Sequence, residues 1–330
     1  MESLNQVIHY LAFNLTLAVL APLRYDSFIY WPYLLSSLLL AVVAWHFGHR
    51  DSWQNFRDRF FSRKLWWHRS AKADYRLYLV NALILPFLFS LALPDYPQLA
   101  EKLLQLTGSA HWPALTVQAW GWKAAFTVLF FIAYDFGRFV AHYALHRVPV
   151  LWEFHKVHHS AEVLTPMTAF RVHPVDLWLM AWGSLVFTAP LYLAFNLLAQ
   201  GQVDVYLFMG LHVFFVLGNL VGNLRHSPAW LSYGPRWGQW LISPAHHIIH
   251  HSTEPRHWDK NMGFELAVWD RLFGTLAVPD TREEHFPLGL GGTPDPRWQS
   301  VRYMLFAPFA GAWRVLSRSP RADQAAGHEL

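Results

Sequence analysis

The 330-residue chain contains no cysteine. That excludes disulfides, thiolate zinc sites and cysteine-ligated iron–sulfur clusters, so any metal it holds is bound through nitrogen and oxygen. Charge is scarce as well. Asp, Glu, Lys and Arg make up 15% of the residues, against 54% hydrophobic and 17% aromatic, where soluble domains carry about 25% charged residues. The N-terminus, MESLNQVIHY, lacks a basic stretch followed by a small-residue cleavage site and reads as retained. No internal repeat or low-complexity segment stands out, and no basic and aromatic pattern suggests a nucleic-acid partner. The glycine-rich run at residues 289–292 follows no strand-like stretch in a G-x-G-x-x-G context, which gives it no nucleotide role.

Six apolar stretches are present instead, at residues 7–23, 28–45, 77–93, 124–145, 177–199 and 203–220. Each approaches the roughly 20 residues that a spanning helix needs. The expected fold is therefore an all-α integral membrane protein of about six spanning helices. If the spans alternate from an inside N-terminus, only Arg24, Lys102 and Lys123 of the 26 Lys and Arg residues fall outside. The basic segment at residues 50–76 and eleven basic residues from Arg225 onward fall inside, the asymmetry that marks the cytoplasmic side. The expected localisation is a multi-pass membrane protein, in the inner membrane if bacterial. Residues 94–122 read as an outside loop and residues 50–76 as interfacial. The chain from Ser227 should form a cytoplasmic cap, and its last dozen residues should be disordered. Three regions result: membrane spans to residue 123, a histidine-bearing region at residues 124–278, and a cytoplasmic tail at residues 279–330.

Thirteen of the twenty histidines lie between His142 and His257, nearly twice their even share. The stretch HYALHRVPVLWEFHKVHHS, residues 142–160, holds His142 and His146 four apart, then His155, His158 and His159 at i, i+3 and i+4. Both spacings put imidazoles on one helix face. PAHHIIHHS repeats the pattern with His247, His250 and His251, and His246 adds another ring. His9, His46, His49, His68, His111, His257, His285 and His328 read as ordinary histidines. Clustered imidazoles repel one another when protonated and are costly unpaired near a membrane, so the clusters point to metal. Eight or more exceed one tetrahedral zinc and suit two ions.

These motifs, with the later run DKNMGFELAVWDRLFGT at residues 259–275, resemble the fatty acid hydroxylase/sterol desaturase superfamily of membrane diiron oxygenases. The likeness extends over about residues 124–278 and is greatest to the bacterial and alkylglycerol monooxygenase branches. It implies that His142, His146, His155, His158, His159, His247, His250 and His251 are iron ligands. Members complete the site between the second and third boxes, where this chain reads GLHVFFVLGNLVGNLRHSP. Val221 stands where the bacterial pattern has a histidine, which leaves Asn223, His226 and the deeper His212. His226 is favoured as the ligand, with Asn223 as a direct or water-mediated partner.

His173, in AFRVHPVD, and His246 are candidates for an additional ligand or a supporting role. Asp135 lies on the His142 face of its helix and is expected to accept an imidazole N–H or to pair with Arg138. Asp259 and Asn261 are expected to shape a turn beside the ligands, with Asp259 also a candidate catalytic residue. The resemblance implies a lipid hydroxylase, or a desaturase, using dioxygen and two iron ions. Its electrons would come from a separate partner, whether a ferredoxin, a cytochrome or a reduced pterin. The competing readings are a membrane zinc hydrolase and a metal-handling transporter.

Overall fold

A computed structural model describes residues 2–48, 52–92, 96–108, 120–199 and 203–317. Residues 94–95 and 109–119 of the expected outside loop and the expected disordered tail lie outside the described residues, as do His49, His111 and His328. The described chain is helical except for one two-stranded ribbon and connecting loops. In order it forms α1 (Glu2–Val19), α2 (Trp31–Gly48), α3 (Trp53–Phe60), α4 (Arg63–Trp66), α5 (Arg69–Ala92) and α6 (Tyr96–Leu106). Then come α7 (Trp120–Arg147), α8 (Pro149–His159), α9 (Pro174–Ala199) and α10 (Val213–Gly222). The last part holds α11 (Gly234–Trp237), α12 (Pro244–His250), α13 (Val268–Phe273) and α14 (Val301–Ser317).

Helices α7 and α9 form the frame. Among the described residues they are the two helices both long and apolar enough to cross a membrane. They pack antiparallel, with Phe126 against Phe195 at one end (ring centroids 5.1 Å apart) and Gly137 against Gly183 midway. A Cβ built on Gly137 would lie 2.3 Å from the Gly183 carbonyl oxygen. Small residues at this crossing are what let the two backbones touch. That approach brings the amino end of α9 beside the carboxyl end of α7, where His142 and His146 lie.

Two expectations about the spans are corrected. Residues 203–220 are not one helix. Leu207–Phe208 (β1) pairs antiparallel with Leu211–His212 (β2) around a turn in which Met209 (φ 53°) and Gly210 (φ 77°) both adopt left-handed backbone. His212 then caps α10, its Nδ1 accepting the Phe214 N–H at 3.3 Å while its Nε2 donates to Thr127 O at 3.1 Å. The ten residues of α10 extend only about 15 Å. The two-residue turn and the capping histidine begin the helix late, which average hydropathy over the run does not register.

The direction of α1 also differs. Tyr78 donates to Ala18 O at 2.9 Å and Tyr10 to Leu83 O at 3.2 Å, so α1 runs opposite to α5. Its carboxyl end therefore points to the histidine end of the molecule, and an inside N-terminus does not fit this packing. Next, α2 runs alongside α10 in the same sense, with Ser36 Oγ donating to Leu220 O at 2.7 Å and Ala41 and Trp45 packed with Leu224 and Ala229. The charge count is silent here because Arg24, the lone basic residue between α1 and α2, is paired with Asp26.

Replacing Gly137 with Leu should force α7 and α9 apart. We expect it to destabilise the protein by about 1–3 kcal/mol, the usual range for overpacking, seen as a lower Tm in detergent. Gly121→Ala, at a position with open space around it, is the control. An unchanged Tm for Gly137→Leu would contradict the described contact.

Candidate metal centre

The histidine end is organised by buried polar contacts. Arg171, fully buried, makes an ion pair with Asp74 of α5 at 2.8 Å and donates to Val157 O and Ser160 Oγ at the end of α8 and to Trp298 O before α14. A buried charge this well surrounded is costly to break, and it ties three elements to the loop ahead of α9. Burial raises the Asp74 carboxyl above its ordinary value, against the opposing pull of Arg171.

On this scaffold nine imidazoles converge in two groups. His142, His146, His155, His159 and His250 form one, and His158, His226, His247 and His251 the other. Within each group the facing ring nitrogens all lie within 4.8 Å of one another. Helix α7 supplies the first two, α8 the next three, the turn after α10 supplies His226, and α12 with its C-cap supplies the rest.

The outer nitrogens fix the tautomers. His142 Nδ1 donates to Met262 O at 2.7 Å, His250 Nδ1 to Lys260 O at 2.8 Å and His158 Nδ1 to Arg171 O at 3.2 Å. His155 Nδ1 donates to the Asp176 carboxylate at 2.6 Å. In the neutral rings this leaves each Nε2 with a bare lone pair, and the pairs face each other. His142 Nε2 is 3.0 Å from His155 Nε2. In the second group His247 Nε2 and His226 Nε2 are 2.9 Å apart, with His158 and His251 each 3.3 Å from His226. His146, His159 and His250 have buried Nε2 atoms with no hydrogen-bond partner.

Protonation offers little relief. Burial pushes His226 and His250 down to about 3. It also holds His158, His159, His247 and His251 well below the ordinary imidazole value, with neighbouring imidazoles adding to the effect. A cation between the nitrogens would satisfy the converging lone pairs. Two nitrogens bound to one ion at about 2.0–2.1 Å lie about 3.0 Å apart at right angles, so the donor set fits metal in both groups.

Residues 259–275 act as the mould for this site. Asp270 accepts from the backbone N–H groups of Met262 and Gly263, both at 2.7 Å, and from Thr275 Oγ1 at 2.6 Å. It thereby holds the Met262 carbonyl at His142. Asn261, with φ 58°, donates to His246 O at 3.1 Å and Ala277 O at 2.9 Å, which binds the turn to α12. A Cβ on Gly263 would lie 2.8 Å from the Asp270 carboxylate, which accounts for the glycine. Asp259 sits between His146 Nδ1, 3.4 Å away, and Arg147, 3.1 Å away.

Other expected residues stand elsewhere. Asp135 receives no imidazole N–H and no Arg138 contact. It accepts the backbone N–H groups of Glu265 and Leu266 and the Trp269 indole N–H at 3.0–3.1 Å, so it anchors the start of α13. The carboxylate that does hold an imidazole is Asp176. No spacing rule singles it out, because it stands 21 residues from His155 and meets it only through the α7–α9 packing. His173 and His246 have both ring nitrogens engaged. His173 caps α9 through Val175 N and donates to Leu305 O, while His246 pairs with Ser243 and donates to Gly238 O. Neither belongs to the two groups. Asn223 donates to Phe28 O at 2.9 Å and likewise lies outside them. His226 is within reach, and His212 is at the far end of α10.

A family model described as fatty acid hydroxylase matches residues 127–275, the stretch that carries all nine imidazoles. The match places the histidine-bearing region among sequences similar to the fatty acid hydroxylase family. Among curated proteins, this chain is 32% identical over 184 residues to alkylglycerol monooxygenase of Danio rerio, covering 55% of this chain and 37% of that protein. It is 31% identical over 173 residues to an ornithine lipid hydroxylase of Rhizobium tropici, covering 52% and 47%. To a Delta(7)-sterol 5(6)-desaturase of Eremothecium gossypii it is 30% identical over 181 residues, covering 54% and 46%. The chain thus spans less than half the length of these relatives. No solved structure matches.

In the matched region, Asp176→Asn should keep the fold while lowering metal affinity about 10–100-fold, the usual cost of losing a carboxylate behind a metal-binding imidazole. His226→Ala should lower metal content at least as far, and His212→Ala should leave it unchanged. Metal analysis after dialysis against a graded chelator reads all three, and full occupancy in His226→Ala would contradict the grouping.

Proposed function

We propose that this chain is a membrane-bound diiron monooxygenase that hydroxylates a lipid. The observation that carries the reading is the pair of buried imidazole groups inside a region whose relatives are named as lipid hydroxylases, monooxygenases and sterol desaturases. His142, His146, His155, His159 and His250 would hold one iron ion, and His158, His226, His247 and His251 the other. When bound, two iron ions supply the activation of dioxygen that attack on an unactivated C–H bond requires. The overall reaction converts a C–H bond and dioxygen, with two electrons and two protons, to an alcohol and water.

The chain's own residues set the conditions. The Met262, Lys260 and Arg171 carbonyls and the Asp176 carboxylate hold the protons on Nδ1 and aim Nε2 inward, as partners behind metal-ligating histidines commonly do. Burial of the second group keeps bulk water from it. A cleft of about 320 Å³, lined by His146, His159 and His250 together with Trp152, Trp258 and Asp259, reaches the first group from the surface. We assign it to small reactants and protons, with Asp259 lining it beside His146. The electrons come from a separate donor, a ferredoxin, a cytochrome or a reduced pterin. The surrounding membrane supplies the lipid.

The named relatives are monooxygenases, hydroxylases and desaturases, which favours an oxygenase over a zinc hydrolase or a metal-handling transporter. Hydroxylation is favoured over desaturation by the hydroxylases and monooxygenases among the relatives.

The test is iron-loaded protein in lipid with a reducing system and a bacterial lipid extract. Dioxygen uptake should rise at least ten-fold over the His158→Ala variant, and a lipid heavier by one oxygen atom should appear in the mass spectrum. Turnover that continues without dioxygen, or with zinc alone, would overturn the proposal.

A further inference from the structure

Helix α14 lies beyond the matched residues 127–275 and, among the described residues, leaves an apolar stripe largely uncovered. Phe306, Phe309, Trp313 and Leu316 recur every three or four residues, so they share one face. They are 52–71% exposed. A contiguous apolar patch of this kind marks a contact surface. The helix carries no acidic residue, and its two charged residues, Arg302 and Arg314, are both exposed.

Packing gives the stripe a direction. One face of α8, from Trp152 through His155 to His159, meets a single residue of α7, His146, with ring centroids 4.8–5.1 Å apart. Helices lying alongside one another pair successive turns instead, so α8 crosses the end of α7. Helix α14 runs antiparallel to α8 on its other face: Glu153 lies against Gly311, Phe154 against Phe309 and Val157 against Met304. Both helices therefore lie across the axis of α7, in the plane of a membrane that α7 spans. On one flank of α14, Leu305 O accepts from His173 Nε2 at 3.1 Å and Phe309 touches the His173 ring. From that point α9 departs for the far end of the molecule. On the other flank, Tyr303 lies under the Arg297 guanidinium, which pairs with Asp295. By helical spacing Phe309 and Leu316 share the first flank, and Arg314 falls on the second.

We propose that α14 is an in-plane membrane anchor, with Phe306, Phe309, Trp313 and Leu316 in the boundary between headgroups and acyl chains and Arg302 and Arg314 at lipid phosphates. This rests on the membrane-bound reading above, with α7 and α9 crossing the bilayer, and adds a contact surface to it. The occupant is a lipid surface because the stripe lies on the flank from which α9 enters the bilayer. Two exposed arginines without a neighbouring acid on the helix suit anionic headgroups, and their long stems let the charge reach the phosphates while the apolar face is immersed.

Spin labelling tests the anchor without turnover. The chain has no cysteine, so one introduced cysteine takes a nitroxide at a single site. Phe306→Cys, Phe309→Cys, Trp313→Cys and Arg314→Cys are each labelled in nanodiscs of mixed phosphatidylcholine and phosphatidylglycerol. Val186→Cys, at an exposed position midway along α9, is the control for the membrane itself. Collision with dissolved oxygen is compared with collision with a water-soluble nickel chelate, and circular dichroism reports folding of each variant. An apolar face immersed by about 5–10 Å should give an oxygen-to-nickel ratio about five-fold higher at Phe306, Phe309 and Trp313 than at Arg314. Equal ratios at all four positions would overturn the proposal, since the stripe would then face water. Labels on the stripe shielded from both reagents would also overturn it, because a protein surface or a second copy would cover the helix. The control separates the two readings: a Val186 label in lipid beside a stripe in water sinks the anchor alone, whereas a Val186 label open to the nickel chelate sinks the membrane reading with it.

Discussion

The constraint on which this molecule turns is the convergence of imidazole lone pairs in a place where the rings cannot readily be charged. Four rings have their protons committed to groups behind them, and the bare Nε2 atoms of two of them, His142 and His155, face each other at 3.0 Å. Left alone, such an arrangement repels itself. A cation between the nitrogens would turn the same geometry into an attraction, which under the proposed function would couple folding here to metal binding.

Much of the remaining structure serves to hold those rings. The Gly137–Gly183 contact brings Asp176 of α9 to His155 of α8. The Arg171–Asp74 pair sets the carbonyl that receives His158. The Asp270 carboxylate braces the turn that presents the Met262 carbonyl, and Asp135 braces the start of the next helix. Each of these is a buried, hydrogen-bonded polar group around the imidazoles, the pattern expected when orientation of metal-binding side chains matters. The molecule is consequently polar inside at one end and apolar on its long helices.

The histidine groups were legible in the chain because i, i+3 and i+4 spacing is a local property that survives folding. His226 could be preferred over His212 because depth along a helix is countable. What spacing could not supply were partners joined only by tertiary packing. Asp176 is invisible until α7 and α9 are brought together, and Asp135 turns from the imidazoles to the loop ahead of α13. His173 and His246 resemble the grouped histidines in sequence, yet both cap helices. The apolar run at residues 203–220 misled because hydropathy averages over a hairpin and a late helix start. The direction of α1 escaped because Arg24, the lone basic residue between α1 and α2, is paired with Asp26.

The most direct measurement is an anomalous difference map, at the iron absorption edge, from crystals of protein reconstituted with ferrous iron. The account predicts two peaks per chain, one enclosed by His142, His146, His155, His159 and His250 and one by His158, His226, His247 and His251. A single peak per chain, or density seated at His173 or His246 instead, would contradict it.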